Sequence, residues 1–530
     1  MKEGFRQSMA WLHTWSGLLV GWVLFMIFSA GTATYFRQEI TQWMQPEWLH
    51  AQPGPLAATH ALNALREKAA KANRWSIELP IPREPAVRIG WVEPPASSAK
   101  NARGRFKTVF LDPATGAELK ARETRGGEFF YRLHFDLHYM PALWARWIVG
   151  FCAMFMLVAI VSGVITHKRI FKDLFTFRPK KNQRSWLDAH NATGVLALPF
   201  HLMITYSGLI TLMTLYMPWG VMTAYQGDQK VFTAEVFPQT QTPKPTGQPG
   251  TLTAVEPLLA QAQARWGEAP GRVTVLNPMD AGAVIEVRPV DERRIALNGP
   301  VMSFKGGTGE LMSVSGDEAP AAATRSVVYG LHVARFAEPW LRALFFVSGL
   351  AGCAMVGTGL LLWAVKERQK HAKQLRHGIP VSFGLRLVDG LNIGAIAGLP
   401  IAIASYFWAN RLLPLGLAER QEAEITCFFA AWGVAAVLGL ISAKRRMWRW
   451  QLGAGAALFT LLPLLNAFTT DAHLGVTLPA GRWALAGFDL TALALGLGLA
   501  ACAWVLQRHG GKAARQAPVP KAAKAVAAGA

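Results

Sequence analysis

The sequence predicts a polytopic α-helical membrane protein with about eight transmembrane helices, in which two small α+β modules are inserted into a duplicated four-helix core. The first observation is composition, because 52% of the 530 residues are hydrophobic and only 16% are charged. Soluble domains carry about 25% charged residues. Disordered, collagen-like and disulfide-rich secreted chains are excluded. The other two observations are long apolar runs and a repeated pattern of polar segments and histidines.

Eight apolar stretches approach or exceed the length of about 20 residues that spans a bilayer. They lie near 12–36, 144–167, 190–217, 340–365, 388–410, 424–443, 451–470 and 483–506. The resulting divisions are a first span within 1–36, an external module at 37–143, span two at 144–167, a basic loop at 168–189, span three at 190–217, a second external module at 218–339, span four at 340–365, a basic loop at 366–387, a four-span extension at 388–506 and a tail at 507–530.

The charge distribution predicts the orientation. Lys and Arg number 54 against 33 acidic residues, a formal net charge of +21. The short loops after spans two, four and six and the C-terminal tail are all basic, and they fall on one side of the membrane. Lys and Arg accumulate in cytoplasmic loops, so both termini are expected in the cytoplasm. Membrane topology therefore explains the positive charge without a nucleic-acid partner.

The two long polar segments should form similar modules on the opposite side. Each begins with a helical pattern, at 56–72 and 252–266, followed by alternating runs typical of strands. Each also contains a hairpin-like turn, LDPATGAEL at 111–119 and FKGGTGELM at 304–312.

The repeat extends into the membrane. WLHTWSG matches LDAHNATG at an offset of 177 residues, which aligns His13 with His190. YRLHFDLHYMP matches YGLHVARFAEP at an offset of 198, which aligns His134 with His332. An even number of spans separates the copies, so a pseudo-twofold axis along the membrane normal should bring equivalent positions face to face.

Two symmetry-related imidazoles suit the opposite sides of one flat macrocycle, and haem iron is commonly held by axial imidazole. The alternative is that these histidines anchor helix ends at the membrane interface. Two matched pairs favour haem ligation, with His13, His190, His134 and His332 as ligands. Gly17 and Gly194, four residues after a histidine, would let the porphyrin lie against bare backbone.

Two further histidines are less secure candidates. His138 is four residues after His134, but its counterpart in the repeat is Phe336. His201 lies eleven residues after His190, about 16 Å along a helix and near the same face. Straight helices would place the two predicted haems roughly 45 Å apart. Either Pro141 and Pro339 break the helices and fold the histidines inward, or His201 supplies a ligand at intermediate depth.

Other chemistries lack their motifs. The sequence has no P-loop, HExxH, CxxCH or suitably placed GxGxxG, so a haem would be bound non-covalently and a nicotinamide domain is not expected. Few acids lie within the spans, whereas a proton-coupled transporter should have more.

The motifs WLHTWSGLLVGW, LHFDLHYMP, SGVITHKR, DAHNATGVLALPFH and LDPATGAEL resemble those of the PepSY-associated transmembrane helix proteins, over about residues 1–370. The resemblance implies four core spans, periplasmic PepSY-type modules and haem b, one to two per chain, in the bacterial inner membrane. It further implies reduction of ferric siderophores in the periplasm and release of Fe(II). The electrons would come from quinol or from a cytoplasmic reductase. Two alternatives stay open: a PepSY-type binding or regulatory protein without redox activity, and a siderophore or iron permease.

Overall fold

The protein is described by a computed structural model, covering residues 3–93, 105–167, 178, 183–236, 243–290, 294–297, 299–316, 320–372, 377 and 381–515. Several of the basic residues that predict the orientation lie outside the described residues. They are most of those at 168–181, together with Lys373 and Arg376.

The fold is dominated by long apolar helices. Seven helices in the described part of the chain are long and apolar enough to cross a membrane. They are Gly4–Thr34 (span one), Ala142–Thr166 (span two), Pro339–Lys370 (span four), Phe383–Leu412 (span five), Arg420–Ile441 (span six), Arg445–Thr469 (span seven) and Trp483–Arg508 (span eight). This confirms a polytopic helical membrane protein.

Span three is broken, which corrects the continuous helix expected over 190–217. It consists of Gln183–Leu196 and Leu198–Thr211, which meet at an angle of 67°. Pro199 stands in the first turn of the second helix, where proline's missing N–H costs nothing but prevents continuation of the preceding helix. Three short helices follow this span, at Met213–Tyr216, Trp219–Ala224 and Gln229–Val236.

Both polar segments contribute strands to one antiparallel sheet of seven strands. The strands are β1 (Arg74–Glu78), β2 (Val87–Glu93), β3 (Arg105–Leu111), β4 (Pro270–Leu276), β5 (Val284–Pro289), β6 (Val301–Lys305) and β7 (Leu311–Ser315). Their order is β3-β2-β1-β4-β5-β6-β7, so the two segments join through the pairing of β1 with β4. Helices Ala57–Lys68 and Glu256–Trp266 pack on the sheet over a shared apolar core. The sequence suggested two separate modules and gave no sign of this junction.

Two short helices connect the sheet back to the membrane. We call Glu128–Asp136 and Pro320–Val333 the first and second inward helix. The first ends at Leu137, which has a positive φ of 53°, and Pro141 then caps the start of span two. The second is followed by Ala334, also at φ 53°, and Pro339 begins span four. The chain is therefore broken before Pro141 and before Pro339, as in the first of the two alternatives above.

Spans five to eight support the junction between membrane and sheet. The Arg411 guanidinium lies 3.7 Å from the centre of the Trp43 ring, and the indole donates to Asp489 Oδ1 over 2.8 Å. Tyr406 donates to the Gly126 carbonyl over 3.1 Å, and Arg420 to the Glu123 carbonyl over 2.9 Å. These contacts hold helix Arg37–Met44 and the 121–127 segment in place. We call the membrane face beside the sheet the sheet side and the opposite face the loop side.

Candidate functional site

Two pairs of histidines face each other within the helical core. On the loop side, the ring centres of His13 and His190 are 6.1 Å apart. His13 Nδ1 lies 2.8 Å from the carbonyl oxygen of Ala159 in span two, and His190 Nδ1 lies 2.8 Å from that of Met355 in span four. Each imidazole is therefore fixed by the backbone of a neighbouring span.

The second pair lies towards the sheet side. The ring centres of His134 and His332, on the two inward helices, are 6.0 Å apart. His134 Nδ1 is 2.8 Å from the Ile27 carbonyl oxygen in span one, and His332 Nδ1 is 3.1 Å from the Ile204 carbonyl oxygen in span three. The two carbonyls are 177 residues apart, the offset that also relates His13 to His190.

These contacts determine which ring nitrogen is available. A carbonyl oxygen only accepts hydrogen bonds, so each Nδ1 carries the proton and donates it. His332 Nδ1 also lies 3.0 Å from Ser207 Oγ, whose own proton is donated to the Met203 carbonyl over 2.6 Å. Nε2 of each neutral imidazole then keeps its lone pair. A carbonyl that accepts from Nδ1 in this way commonly orients a histidine whose other ring nitrogen ligates a metal.

Each histidine also lies against a glycine. A Cβ atom built on Gly31 would come within 2.7 Å of the His134 ring, and one on Gly208 within 3.0 Å of the His332 ring. On the loop side, a Cβ atom built on Gly163 would come within 3.0 Å of the His13 ring, and one on Gly359 within 3.1 Å of the His190 ring. Backbone without a side chain is thus required beside all four rings.

The spacing within each pair suits a shared metal ion. Two imidazoles that bind one ion through bonds of about 2 Å have ring centres roughly 6 Å apart. Each pair offers only two ligands, and no group of three or more His, Cys, Asp or Glu side chains that could hold a metal occurs in the described part of the chain. The arrangement suits a metal whose remaining ligands come from a planar cofactor.

The separation of the two pairs can be read along span one. His13 and Ile27, whose carbonyl holds His134, are fourteen residues apart on one helix, or about 21 Å at 1.5 Å per residue. This is about half the separation that straight helices would give. The separation is shorter because the chain breaks before Pro141 and before Pro339, so the inward helices do not continue spans two and four in a straight line.

A cavity adjoins each pair. The loop-side cavity has a volume of about 290 Å³ and is lined by both members of the first pair. Gly17 and Gly194 also line it, and a Cβ atom on Gly17 would meet nothing within 4 Å. A larger chamber of about 1010 Å³ includes the second pair and extends from span one to the sheet.

The two less secure histidines lie differently. His201 is fully buried between Phe28 and Phe200, lines the loop-side cavity, and has no hydrogen-bond partner for either ring nitrogen among the described residues. His138 lies outside both pairs, where its ring stacks on Phe429 and Nε2 is 3.6 Å from Glu422.

Nothing in the local sequence shows that these glycines and carbonyls position the rings. Gly31 and Gly208 are aligned by the repeat, which was the available signal. Gly163 and Gly359 are 196 residues apart, as are Ala159 and Met355, so their correspondence is hidden by a change of offset within the second half of each unit.

A known family covers the part of the chain that contains the histidine pairs. The family model described as the PepSY-associated TM region matches residues 10–366, which include all four paired histidines. An uncharacterized protein of Pseudomonas aeruginosa is 27% identical over 387 residues, covering 68% of this chain and 91% of that protein. This chain belongs to the PepSY-associated transmembrane family.

Proposed function

We propose that this protein is a haem b electron carrier of the bacterial inner membrane, which reduces ferric siderophores on the sheet side and releases Fe(II). The observation that carries the proposal is the two pairs of imidazoles, each with its Nδ1 bound to a backbone carbonyl and its ring centre about 6 Å from its partner. The sheet side is then periplasmic and both termini are cytoplasmic.

The residues fit such a cofactor. The two available Nε2 atoms of a pair would hold the haem iron. His13 and His190 would hold one haem b, and His134 and His332 a second. Haem in these positions would supply one-electron redox centres.

The protein's part is to position and insulate. The carbonyls of Ala159, Met355, Ile27 and Ile204 fix the tautomer and orientation of the rings, and the glycines let the helices approach. Spans one to four surround the pairs with apolar side chains, such as Leu24 and Met156, which exclude water. Burial of a haem and hydrogen bonds to its histidine ligands both tune its potential.

The redox balance requires a donor. Oxidation of one quinol to quinone releases two electrons and two protons, which suffices to reduce two ferric chelates to the ferrous state. A cytoplasmic reductase could instead deliver the same electrons singly. In both cases the electrons enter at the loop side, beside His13 and His190, and leave through the chamber beside His134 and His332.

Reconstituted protein tests the proposal. Proteoliposomes with reductant inside and a ferric siderophore plus a ferrous-iron chelator outside should form external Fe(II). His190→Ala should lower haem content and stop Fe(II) formation. His332→Ala should leave the loop-side haem reducible while blocking transfer outward.

The control is His50→Ala, because His50 is exposed and lines neither cavity. It should keep full haem and activity. Colourless wild-type protein, isolated folded from haem-replete cells, would favour a binding or regulatory protein instead. Uptake of intact labelled siderophore into the vesicles would favour a permease.

A further inference from the structure

The sheet-side chamber is lined by more cations than anions. Its described walls carry nine Lys or Arg side chains and five Glu side chains. The cations are Arg37, Arg83, Arg88, Lys120, Arg122, Arg125, Arg132, Arg272 and Arg335. By contrast, residues 37–143 and 218–339 together hold 25 Lys or Arg and 23 Asp or Glu. The positive charge is therefore concentrated on the chamber wall.

Several of these guanidinium groups are fixed by carboxylates that lie behind the wall. Arg83 binds Glu39 over 2.8 Å, and Arg122 binds Glu47 over 2.8 Å. Neither carboxylate lines the chamber. These ion pairs are thus oriented with the positive end towards the chamber and the negative end away from it.

Where strands β1, β2 and β4 form the wall, arginines and carboxylates form an ion-pair network, in which Arg88 pairs with Glu84 over 3.2 Å. Glu78 is shared by Arg88 and by Arg272, the latter over 3.1 Å. Burial alone would raise the pKa of Glu78, but the two arginines outweigh it and lower the pKa. The Arg37 guanidinium lies 5.0 Å from the centre of the Tyr131 ring, and burial, together with repulsion from Arg335 and Arg88, lowers its pKa.

We propose that this chamber binds ferric chelates that carry a net negative charge, in preference to neutral or cationic ones. This inference rests on the proposed function and names the class of its substrate. The two propionates of a haem between His134 and His332 would neutralise at most two of the four surplus charges on the wall. The chamber of about 1010 Å³ would contain this haem as well as the chelate, whereas ordinary ligand pockets measure about 300–1,000 Å³.

Gallium(III) chelates provide a test that does not depend on electron transfer, because gallium(III) replaces iron(III) in the chelate and is not reduced. Binding to the haem-loaded protein is measured by tryptophan fluorescence at low and high salt, with a trianionic tris-catecholate chelate and a cationic trihydroxamate chelate. The trianionic chelate should bind at least about tenfold more tightly at low salt, and the difference should shrink as salt screens the charges.

A double variant, Lys120→Gln with Arg125→Gln, removes two exposed cations from the wall. It should weaken binding of the trianionic chelate by about tenfold and leave the cationic chelate unchanged or slightly tighter. Arg265→Gln is the matched control, since Arg265 is exposed on the same side but does not line the chamber.

Three results would overturn the inference: equal binding of both chelates, tighter binding of the cationic one, or no binding of either chelate to haem-loaded protein. These results are distinct from failure of the proposed function, which would appear as protein without haem or as reduced haem that no ferric chelate reoxidises.

Discussion

Substitution of Gly31 by Ala should damage one haem site through steric displacement of His134. The new Cβ would lie 2.7 Å from Cε1 and Nδ1 of the imidazole, whereas ordinary contacts begin at about 3.4 Å. The ring must therefore retreat by about 0.7 Å, which is roughly a third of a metal–nitrogen bond of about 2 Å. The same movement disturbs the 2.8 Å hydrogen bond from His134 to Ile27. Loss of a hydrogen bond that orients a metal-binding histidine typically lowers metal affinity by about 10–100-fold.

The assay is the haem-to-protein ratio by pyridine haemochrome, with the reduced absorption spectrum. Gly31→Ala should bring the ratio from two towards one. Gly208→Ala should have a smaller effect, because its Cβ would stand 3.0 Å from the His332 ring.

The control is Gly433→Ala, since a Cβ on Gly433 in span six would meet nothing within 4 Å. Alanine in a helix interior is favoured over glycine by about 1 kcal/mol, so this variant should be as stable as the wild type or more so. Full haem content and an unchanged spectrum in Gly31→Ala would refute the placement of His134.

Three other outcomes are expected. Arg420→Met should lower stability by about 3–5 kcal/mol, because it leaves the fully buried Glu424 carboxylate without its cation; adding Glu424→Leu should recover much of the loss in thermal unfolding. Replacing Arg445, Arg446 and Arg449 together by Gln should leave quinol-driven reduction within about twofold, since none of the three lines either cavity; a larger loss would assign donor docking to this end of span seven. Hydrogen bonds from Thr246, then from Gly282 and Gly247, lower the pKa of Asp280 to about 2. The stabilisation by this carboxylate is therefore fully present above an unfolded-state pKa of about 3.9 and lost as pH falls towards 2. Protease resistance of the 243–250 segment should stay constant from pH 7 to 5 and fall in Asp280→Ala; a decline of the wild type over that range would contradict the shift.

The sequence predicted the elements whose signals are local. The apolar spans, the strands at 105–111 and 272–276, and the helix near 57–68 all follow from composition and periodicity within a few residues. The repeat also identified the four histidines that the structure brings together in two pairs.

The missing parts depend on contacts between distant residues. Nothing near His13 in the sequence identifies Ala159 as its partner, 146 residues away. The junction of β1 with β4 likewise depends on the edges of two segments that the sequence treats separately. Span three looked continuous because its apolar pattern runs through Ala197, and the effect of Pro199 was not recognised.

The central claim is that each histidine pair holds one haem, and electron paramagnetic resonance of the purified, oxidised protein with a parallel haem assay tests it most directly. The account predicts two haem b per chain and two low-spin ferric signals of bis-imidazole type. The signals should differ, because the ring planes are inclined by 65° in the pair of His13 with His190 and by 33° in the pair of His134 with His332. His13→Ala should remove one signal and His134→Ala the other. Protein from haem-replete cells that contains no haem, or that keeps both signals in these variants, would contradict the account.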